Sequence, residues 1–433
     1  MVFGSVAAGL WLSACDHGPP LIDGTFTDAE WQKITSFTPL PPPPPSPTNR
    51  FADDPRAAAF GQRLWFEKRY AGPIKEGTPE EGGLGPLEET GKVACSDCHD
   101  SAHWFTDTRS KPNRVSLGTA KTRHNSPSIV NAVYYKWSGW GGPHDQIWKQ
   151  AATVFENRDS FNSDRLTYAH VIYTYYRTDY DALFPVPIDP ALDAADTSDR
   201  FPPSGKPNDP AWEMMSDDDR LIVNTIVANC GKSLEAYERR LVSRDAPFDR
   251  YVAGDFDALT ESAKLGLKLF IGKAGCAECH QHETFTDQEF HNTGVAQTMP
   301  DQGRFDDVLR LHNPFDGSGM FSDDPSAGAE KLAGITRLEE MRGQFRTKSL
   351  RHVTETGPYF HNGSVDSLAD VVRFYNRGGG DGGNFPGEKD ARIVPLNLSE
   401  HEIEDLVEFL RSLTGEPVSE ELIRNTAATA PVP

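Results

Sequence analysis

Basic charge is in short supply along this chain. Forty-three Lys and Arg residues stand against 64 Asp and Glu, a formal net charge of −21 at pH 7, which argues against nucleic acid as a partner. An acidic surface favours a basic or locally basic partner, or simply keeps the molecule soluble. Long apolar runs are missing too: beyond the N-terminus no stretch holds the roughly 18 uninterrupted apolar residues that a membrane-spanning helix needs. No segment of any length alternates apolar and polar residues in the manner of a strand, so the expected fold is mainly α. Cysteine is scarce, six in 433 residues. Two of the six, Cys15 and Cys230, stand in unrelated contexts, and a disulfide framework is not expected. What remains, 37% hydrophobic and 25% charged residues, fits a soluble globular protein of two or three domains.

The other four cysteines fall in two stretches of one kind, Cys95-Ser96-Asp97-Cys98-His99 and Cys276-Ala277-Glu278-Cys279-His280. In Cys-x-x-Cys-His, two thiols are spaced to add across the vinyl groups of a haem while the adjacent His turns its ring onto the iron. The same thiols could build one structural zinc site. That use leaves each following His unexplained and requires two distant pairs to converge. Two covalently bound haem c groups are therefore expected, with His99 and His280 as iron ligands. Gly61-Gln62-Arg63-Leu64-Trp65 precedes the first motif and Gly266-Leu267-Lys268-Leu269-Phe270 the second. Phe105-Thr106-Asp107 and Phe285-Thr286-Asp287 follow them. This repeated order predicts two similar cytochrome-like domains.

At the start, Val2 to Trp11 form a short apolar run before Leu12-Ser13-Ala14-Cys15, which resembles a bacterial lipoprotein cleavage box with Cys15 as the acylated residue. No Lys or Arg precedes the run. Covalent haem c attachment takes place outside the bacterial cytoplasm, so a periplasmic protein, touching membrane only through a lipid anchor, is expected. Pro39 to Pro47 is nearly all proline and reads as a stiff spacer, and the folded part is expected from near Ala52. The expected division is 1–50 as signal and linker, 51–250 as a first haem domain, 251–415 as a second, and 416–433 as a flexible tail. Within these, Ala57, Phe60, Leu64 and Trp65 fall at helical spacing. A stripe of Ile222, Ile226, Cys230, Leu234, Tyr237 and Leu241 predicts a helix over 218–242 with Cys230 as a small core residue. Ser399 and Glu402 form a capping box for a last helix that buries Ile403, Leu406, Leu410 and Leu413 and ends at Gly415.

The chain resembles the bacterial diheme cytochrome c peroxidase and MauG superfamily from about Ala57 to Gly415. Besides the haem motifs, the resemblance rests on Asn125-Ser126-Pro127-Ser128, Trp140-Gly141-Gly142, Asn229-Cys230-Gly231-Lys232-Ser233-Leu234 and Pro247-Phe248-Asp249-Arg250-Tyr251. Thr347-Lys348-Ser349-Leu350-Arg351 and Pro358-Tyr359-Phe360-His361-Asn362-Gly363 add to it. It implies two packed haem domains, hydrogen peroxide bound at the haem of His99, and an electron-transfer haem at His280. Trp140 matches the family's tryptophan between the haems; the plainer alternative is a core aromatic. Asn125, with backbone oxygens of Thr356 and Pro358, matches a calcium position, and oxygen ligands suit that hard cation.

The distal ligand of the second haem separates the family's branches, Met in peroxidases and Tyr in MauG. By the resemblance it falls on Tyr375, with a buried helix face beside Leu368 and Val371 as the alternative and Met320 and Met341 in reserve. A phenolate stabilises ferric iron better than a thioether. Gln150 matches a family glutamine near the peroxide, or is a surface residue. Where the family has a proton-moving glutamate this chain has Ser160, which cannot act as an acid/base near neutral pH; Glu156 or Asp159 would have to substitute. His103 and His124 lie in the interval of the family's distal His loop without matching its motif, which implies a peroxide site open at rest. The resemblance implies a peroxidase fed by a small periplasmic donor, a cytochrome c or cupredoxin. The rivals are a MauG-like enzyme that oxidises residues of a partner protein, and a non-enzymatic electron carrier.

Overall fold

The structure, a computed structural model, describes residues 21–78, 81–109, 115–297, 299–380 and 384–431. It is mainly helical. Its one sheet among the described residues is a two-residue antiparallel pair, Phe290–His291 with Phe345–Arg346. The Cys15 segment lies outside the described residues.

Two helix crossings organise the molecule. In the first, Pro55–Trp65, capped by Asp54 and opened by Pro55, packs along Asp217–Glu238. The latter starts at a Ser216 cap followed by Asp217, Asp218 and Asp219, charges that suit the positive end of a helix dipole. Its other side receives Ile147–Val154. In the second crossing, Glu261–Ile271 packs on Glu400–Arg411, the helix held at its start by the Ser399–Glu402 capping box. Each crossing closes at a glycine. A Cβ on Gly61 would stand 1.9 Å from the Ser233 carbonyl oxygen, and one on Gly266 would stand 1.9 Å from that of Asp405. The repeated Gly-x-x-Leu is thus the mark of two backbones in contact, where only glycine fits.

Around these crossings sit two large apolar clusters. The first gathers Trp65, Tyr70, Phe105, Trp148, Tyr176, Cys230 and Tyr237; the second gathers Phe248, Phe270, Phe285, Leu406 and Phe409. Trp137, Val308, Leu311 and Leu332 make a small third one. Among the described residues no helix is long and apolar enough to cross a membrane.

Both chain ends depart from the sequence expectation. Residues 21–50 are not a free linker. The Asp28–Thr35 helix carries its own capping box at Thr27 and Glu30, and Phe26, Ile34 and Phe37 are buried in the second cluster. Phe37 stacks on Phe285 with centroids 4.9 Å apart. The proline run is strapped down where Tyr134 Oη donates to the Pro41 carbonyl at 2.6 Å and Arg239 Nη1 to that of Pro44 at 2.8 Å. The tail after Gly415 runs back over the first cluster: Leu422 and Ala428 are buried there, and Tyr237 Oη donates to the Leu422 carbonyl at 2.7 Å. Arg69 Nη2 reaches the Ala428 carbonyl at 2.8 Å. The beginning of the described chain therefore completes the second cluster, and its end completes the first. Single apolar residues separated by polar ones leave no periodicity to read, which is why both segments pass for loose chain.

Candidate haem sites

Each Cys-x-x-Cys-His forms one tight turn that ends at its histidine. At Cys95–Cys98 the Asp97 carboxylate accepts from the Ala94 amide at 2.7 Å; at Cys276–Glu278 the turn is a 3-10 helix. The ring of His99 has its Nδ1 3.2 Å from the Phe105 carbonyl and 3.0 Å from that of Pro127. His280 Nδ1 lies 2.9 Å from the Phe285 carbonyl. Phe105 and Phe285, the first residues of the repeated Phe-Thr-Asp, share a left-handed backbone, φ 54° and 52°. A bulky residue is rarely held there, and the same unusual turn aims a carbonyl at the histidine in both places. Committing Nδ1–H to a carbonyl leaves Nε2 bare, the state a ligating histidine needs. Burial lowers the pKa of both rings, against the pull of the phenylalanine carbonyls, and keeps them neutral.

All four thiols are free. Burial pushes Cys98 and Cys276 up to about 12 and Cys279 to about 11, so these half-buried sulfurs are protonated thiols rather than reactive thiolates. The two pairs do not converge. Cys95 packs on the first cluster and Cys276 on the second, which removes the four-thiol zinc site. The one metal-capable group among the described residues, Cys279 with Asp287 and His291, has its histidine already bonded to Asp287 and Asp390 at 2.8 and 2.9 Å.

A cavity of about 300 Å³ joins the second motif to the residues expected around it. Cys276, Cys279 and His280 line it, and so do Trp140, Tyr375, Asn125, Thr356 and Pro358. Tyr375 comes from the Leu368–Asn376 helix, which buries Leu368, Val372 and Phe374. Val371, one turn earlier, also faces the cavity. Burial and the neighbouring Cys276 and Cys279 push the Tyr375 phenol well up, against a hydrogen bond with Thr293. Met320 is 69% exposed, Met341 packs on the third cluster, and neither lines the cavity.

Trp140 touches both surroundings. Its Nε1 donates at 2.8 Å to the Asn125 carbonyl, two residues before the Pro127 carbonyl that meets His99, while its ring borders the cavity of His280. Asn125 Oδ1 is buried with no hydrogen-bond partner, and the amide nitrogen lies 2.9 Å from the Pro358 carbonyl. Turning the amide over would set its oxygen against the Pro358 carbonyl oxygen.

The other residues singled out by sequence lie elsewhere. Glu156 forms a bidentate pair with Arg165 at 3.1 and 3.0 Å. Asp159 lies 3.0 Å from Arg158. Gln150 is half-buried on Ile147–Val154. Ser160 and Asp159 turn their carbonyls to the amides of Thr119 and Ala120, beside Leu117, whose carbonyl is 3.7 Å from Cys98 Sγ. His103 pairs with Asp100 and is 61% exposed, whereas His124 pairs with Asp301.

Sequence reasoning assigned no role to three residues that the structure brings in. Lys348 Nζ stands 4.3 Å from the Trp140 ring centroid, its amine held well below the usual range by burial and by Arg346. His361 lines the cavity, stacked on Phe345 at 3.7 Å, with burial and the nearby His124 bringing its pKa down to about 3. Trp65 packs on the His99 ring at 5.7 Å. Lys348 and His361 lay inside the motifs quoted above; Trp65 was legible only as a core residue.

A family model described as di-haem cytochrome c peroxidase matches residues 55–257. Cytochrome-c peroxidase IdrP1 of Denitromonas iodatirespirans is 32% identical over 87% of this chain and 87% of its own. The chain belongs to the di-haem cytochrome c peroxidase family. It is an oxidoreductase of the cytochrome-c peroxidase type with two haem c groups. Methylamine utilization protein MauG of Methylorubrum extorquens is 27% identical over 84% of this chain and 80% of its own. Among solved structures, a MauG-like protein associated with microbial copper homeostasis superposes with TM-score 0.60 at 24% identity, covering 89% of this chain and 97% of its own. The diheme peroxidase BthA from Burkholderia thailandensis superposes with 0.57 at 19%, covering 88% and 92%. At those identities the likeness is one of fold.

Proposed function

We propose that this protein reduces hydrogen peroxide at the haem held by Cys95, Cys98 and His99, with electrons delivered by a small periplasmic redox protein to the haem held by Cys276, Cys279 and His280. The observation that carries the division is Trp140, bonded to the segment that orients His99 and bordering the cavity of His280. Haem supplies the redox chemistry, while the chain orients two histidines through Phe105 and Phe285, buries the attachment cysteines and bridges the sites with an indole. The proposed units are residues 51–250 and 251–415, each completed by the opposite chain end. Asn125, Thr356 and Pro358 are proposed to hold one Ca²⁺, supported by the orphan Asn125 Oδ1. Export and a lipid anchor at Cys15 complete the proposal. Gln150, Glu156 and Asp159 enter it unequally: Glu156 is held by Arg165, which leaves Gln150 and Asp159 as the proposed proton-handling residues, Asp159 in the segment whose carbonyls face the loop beside Cys98.

Steady-state oxidation of a reduced small cytochrome by peroxide tests this reading. Turnover that slows in Trp140→Phe, with both haems retained, is expected; absence of turnover, or normal turnover in the variant, contradicts it. Tyr375 supports a second reading, oxidation of a partner protein's residues. An anionic phenolate on the second iron would favour storing oxidising equivalents, and a long-lived oxidised state without donor turnover would mark that activity. A pure electron carrier would show no response to peroxide at either haem.

A further inference from the structure

Counted from their glycine contacts, Gly61 on Ser233 and Gly266 on Asp405, the two helix crossings can be matched position by position, and one difference between them is chemical. Four positions beyond Gly61 stands Trp65, and four beyond Gly266 stands Phe270. On the facing helices, four beyond Ser233 stands Tyr237, and four beyond Asp405 stands Phe409. The matched pairs touch alike, Trp65 with Tyr237 at 5.6 Å and Phe270 with Phe409 at 5.1 Å. Phe37, Phe248 and Phe285 pack around the second crossing, and the same cluster also holds Tyr251 and Trp31, in contact with each other. The first carries Tyr70, Tyr168, Tyr176 and Tyr180, all within its buried cluster. Indole and phenol lose an electron far more readily than a phenyl ring, so at the matched positions an oxidisable pair stands at the first crossing and an inert pair at the second.

Two of these side chains meet the first motif directly. Trp65 lies on the His99 ring with centroids 5.7 Å apart, and its Nε1 is buried with no acceptor. Tyr70 lies against the Cys95 sulfur, close to Tyr176 and Glu67. Tyr176 donates its hydroxyl to the Glu67 carboxylate; Tyr173 of the same cluster reaches Asp193 at a longer 3.4 Å, but Tyr176 is the one beside Tyr70. Tyr237 donates to a carbonyl, Tyr180 accepts from Asn229, and Tyr70 and Tyr168 face Cys95 and Cys230. A carbonyl cannot take a phenol's proton, whereas a carboxylate can. The Arg63 guanidinium, 5.1 Å from the Tyr176 ring centroid, disfavours a cationic ring and favours a neutral radical.

We infer that Trp65 and Tyr70 draw an oxidising equivalent off the first haem into the protein, and that the Tyr176–Glu67 pair holds it. This rests on peroxide being reduced at that haem. Reduction of one peroxide to two waters takes two electrons. One of them is supplied by Tyr176, whose phenolic proton passes to Glu67, leaving a neutral tyrosyl radical and a protonated carboxyl; the other is drawn from the haem itself, two protons come from solvent, and a second donor electron later restores the haem. An electron from the reduced donor protein and return of the proton restore the pair. Trp65, with no proton acceptor, passes the equivalent on and does not keep it. The relay gives the enzyme a reservoir separate from Trp140, useful when peroxide arrives before the donor.

The test uses the diheme holoenzyme, one equivalent of peroxide, no donor, and freeze-quench electron paramagnetic resonance alongside the haem spectra. The wild type is expected to show a tyrosyl signal that is lost in Tyr176→Phe and falls in Trp65→Phe, with haem content unchanged; phenylalanine is what the second crossing holds at the matched position. Trp140→Phe is expected to keep the signal. A haem response without a protein radical, or a signal indifferent to both Tyr176→Phe and Trp65→Phe, overturns the relay while leaving the peroxidase reading intact. Loss of the signal in Trp140→Phe also overturns it, because the route would then run through Trp140. No haem response to peroxide overturns both.

Discussion

The helix crossing beside His99 pairs Trp65 with Tyr237, and the one beside His280 pairs Phe270 with Phe409. The two motif-bearing stretches therefore share their local framework and differ in the rings at one matched pair of positions. The shared parts are backbone devices: a glycine at each helix crossing and a left-handed phenylalanine whose carbonyl fixes each histidine. The rings around them are free to vary so long as volume is kept, and they have diverged in oxidisability. At the cavity the second stretch has Tyr375 beside Cys276 and Cys279, while Tyr70 lies against Cys95 in the first.

The comparison can be broken at several places. The largest effect is expected from Gly61→Ala and Gly266→Ala, since each added methyl meets a carbonyl oxygen at 1.9 Å and the helices must part. A loss of about 3 kcal/mol or more is expected from such overpacking. Thermal unfolding of the haem-loaded protein measures it, and the spectra should show disturbance of the first haem by Gly61→Ala and of the second by Gly266→Ala. Next, Tyr375→Phe should raise the potential of the second haem by on the order of 100 mV, given the wide range that axial ligands command, and leave the first unchanged; redox titration with an unaltered ferric spectrum would remove Tyr375 as ligand.

Acid sharpens the junction between the copies. Burial works to raise Asp301, and the hydrogen bond and charge of His124 overcome it, bringing the carboxyl from an ordinary 3.8 to about 2. A depressed carboxyl stabilises the fold above its unfolded value, so about 2 kcal/mol should be present above pH 4 and lost as pH falls towards 2. Denaturant unfolding at several pH values should show that loss, and Asp301→Asn should flatten it. The smallest effect is the reciprocal graft. Phe270→Trp should cost about 1 kcal/mol in packing yet add a radical-forming ring beside the second motif, read by the same freeze-quench spectroscopy.

Much of this scaffold could be read in advance because it is written in short, spaced motifs. The two Cys-x-x-Cys-His turns, the Gly-x-x-Leu pairs, the Phe-Thr-Asp repeats and the capping box at Ser399 each act over a few residues. Trp140 and Tyr375 were placed by resemblance, and both line the cavity with His280. What stayed hidden depends on long-range contact. Phe37 reaches Phe285, and Leu422 reaches Tyr237, across separations that no periodicity records. Glu156 offered a plausible acid until its oxygens were found on Arg165, a partner nine residues away on the next helix. Trp65 looked like any core residue because nothing in its own segment reveals that the ring it covers is His99.

The most direct test of unequal copies is a peroxide titration of the ferric, haem-loaded protein with each proximal histidine replaced in turn. His99→Gly should abolish the peroxide-induced spectral change, while His280→Gly should keep the change at the first haem and lose the electron supply behind it. The opposite pattern, or equal loss in the two variants, would contradict the assignment of peroxide chemistry to the His99 copy.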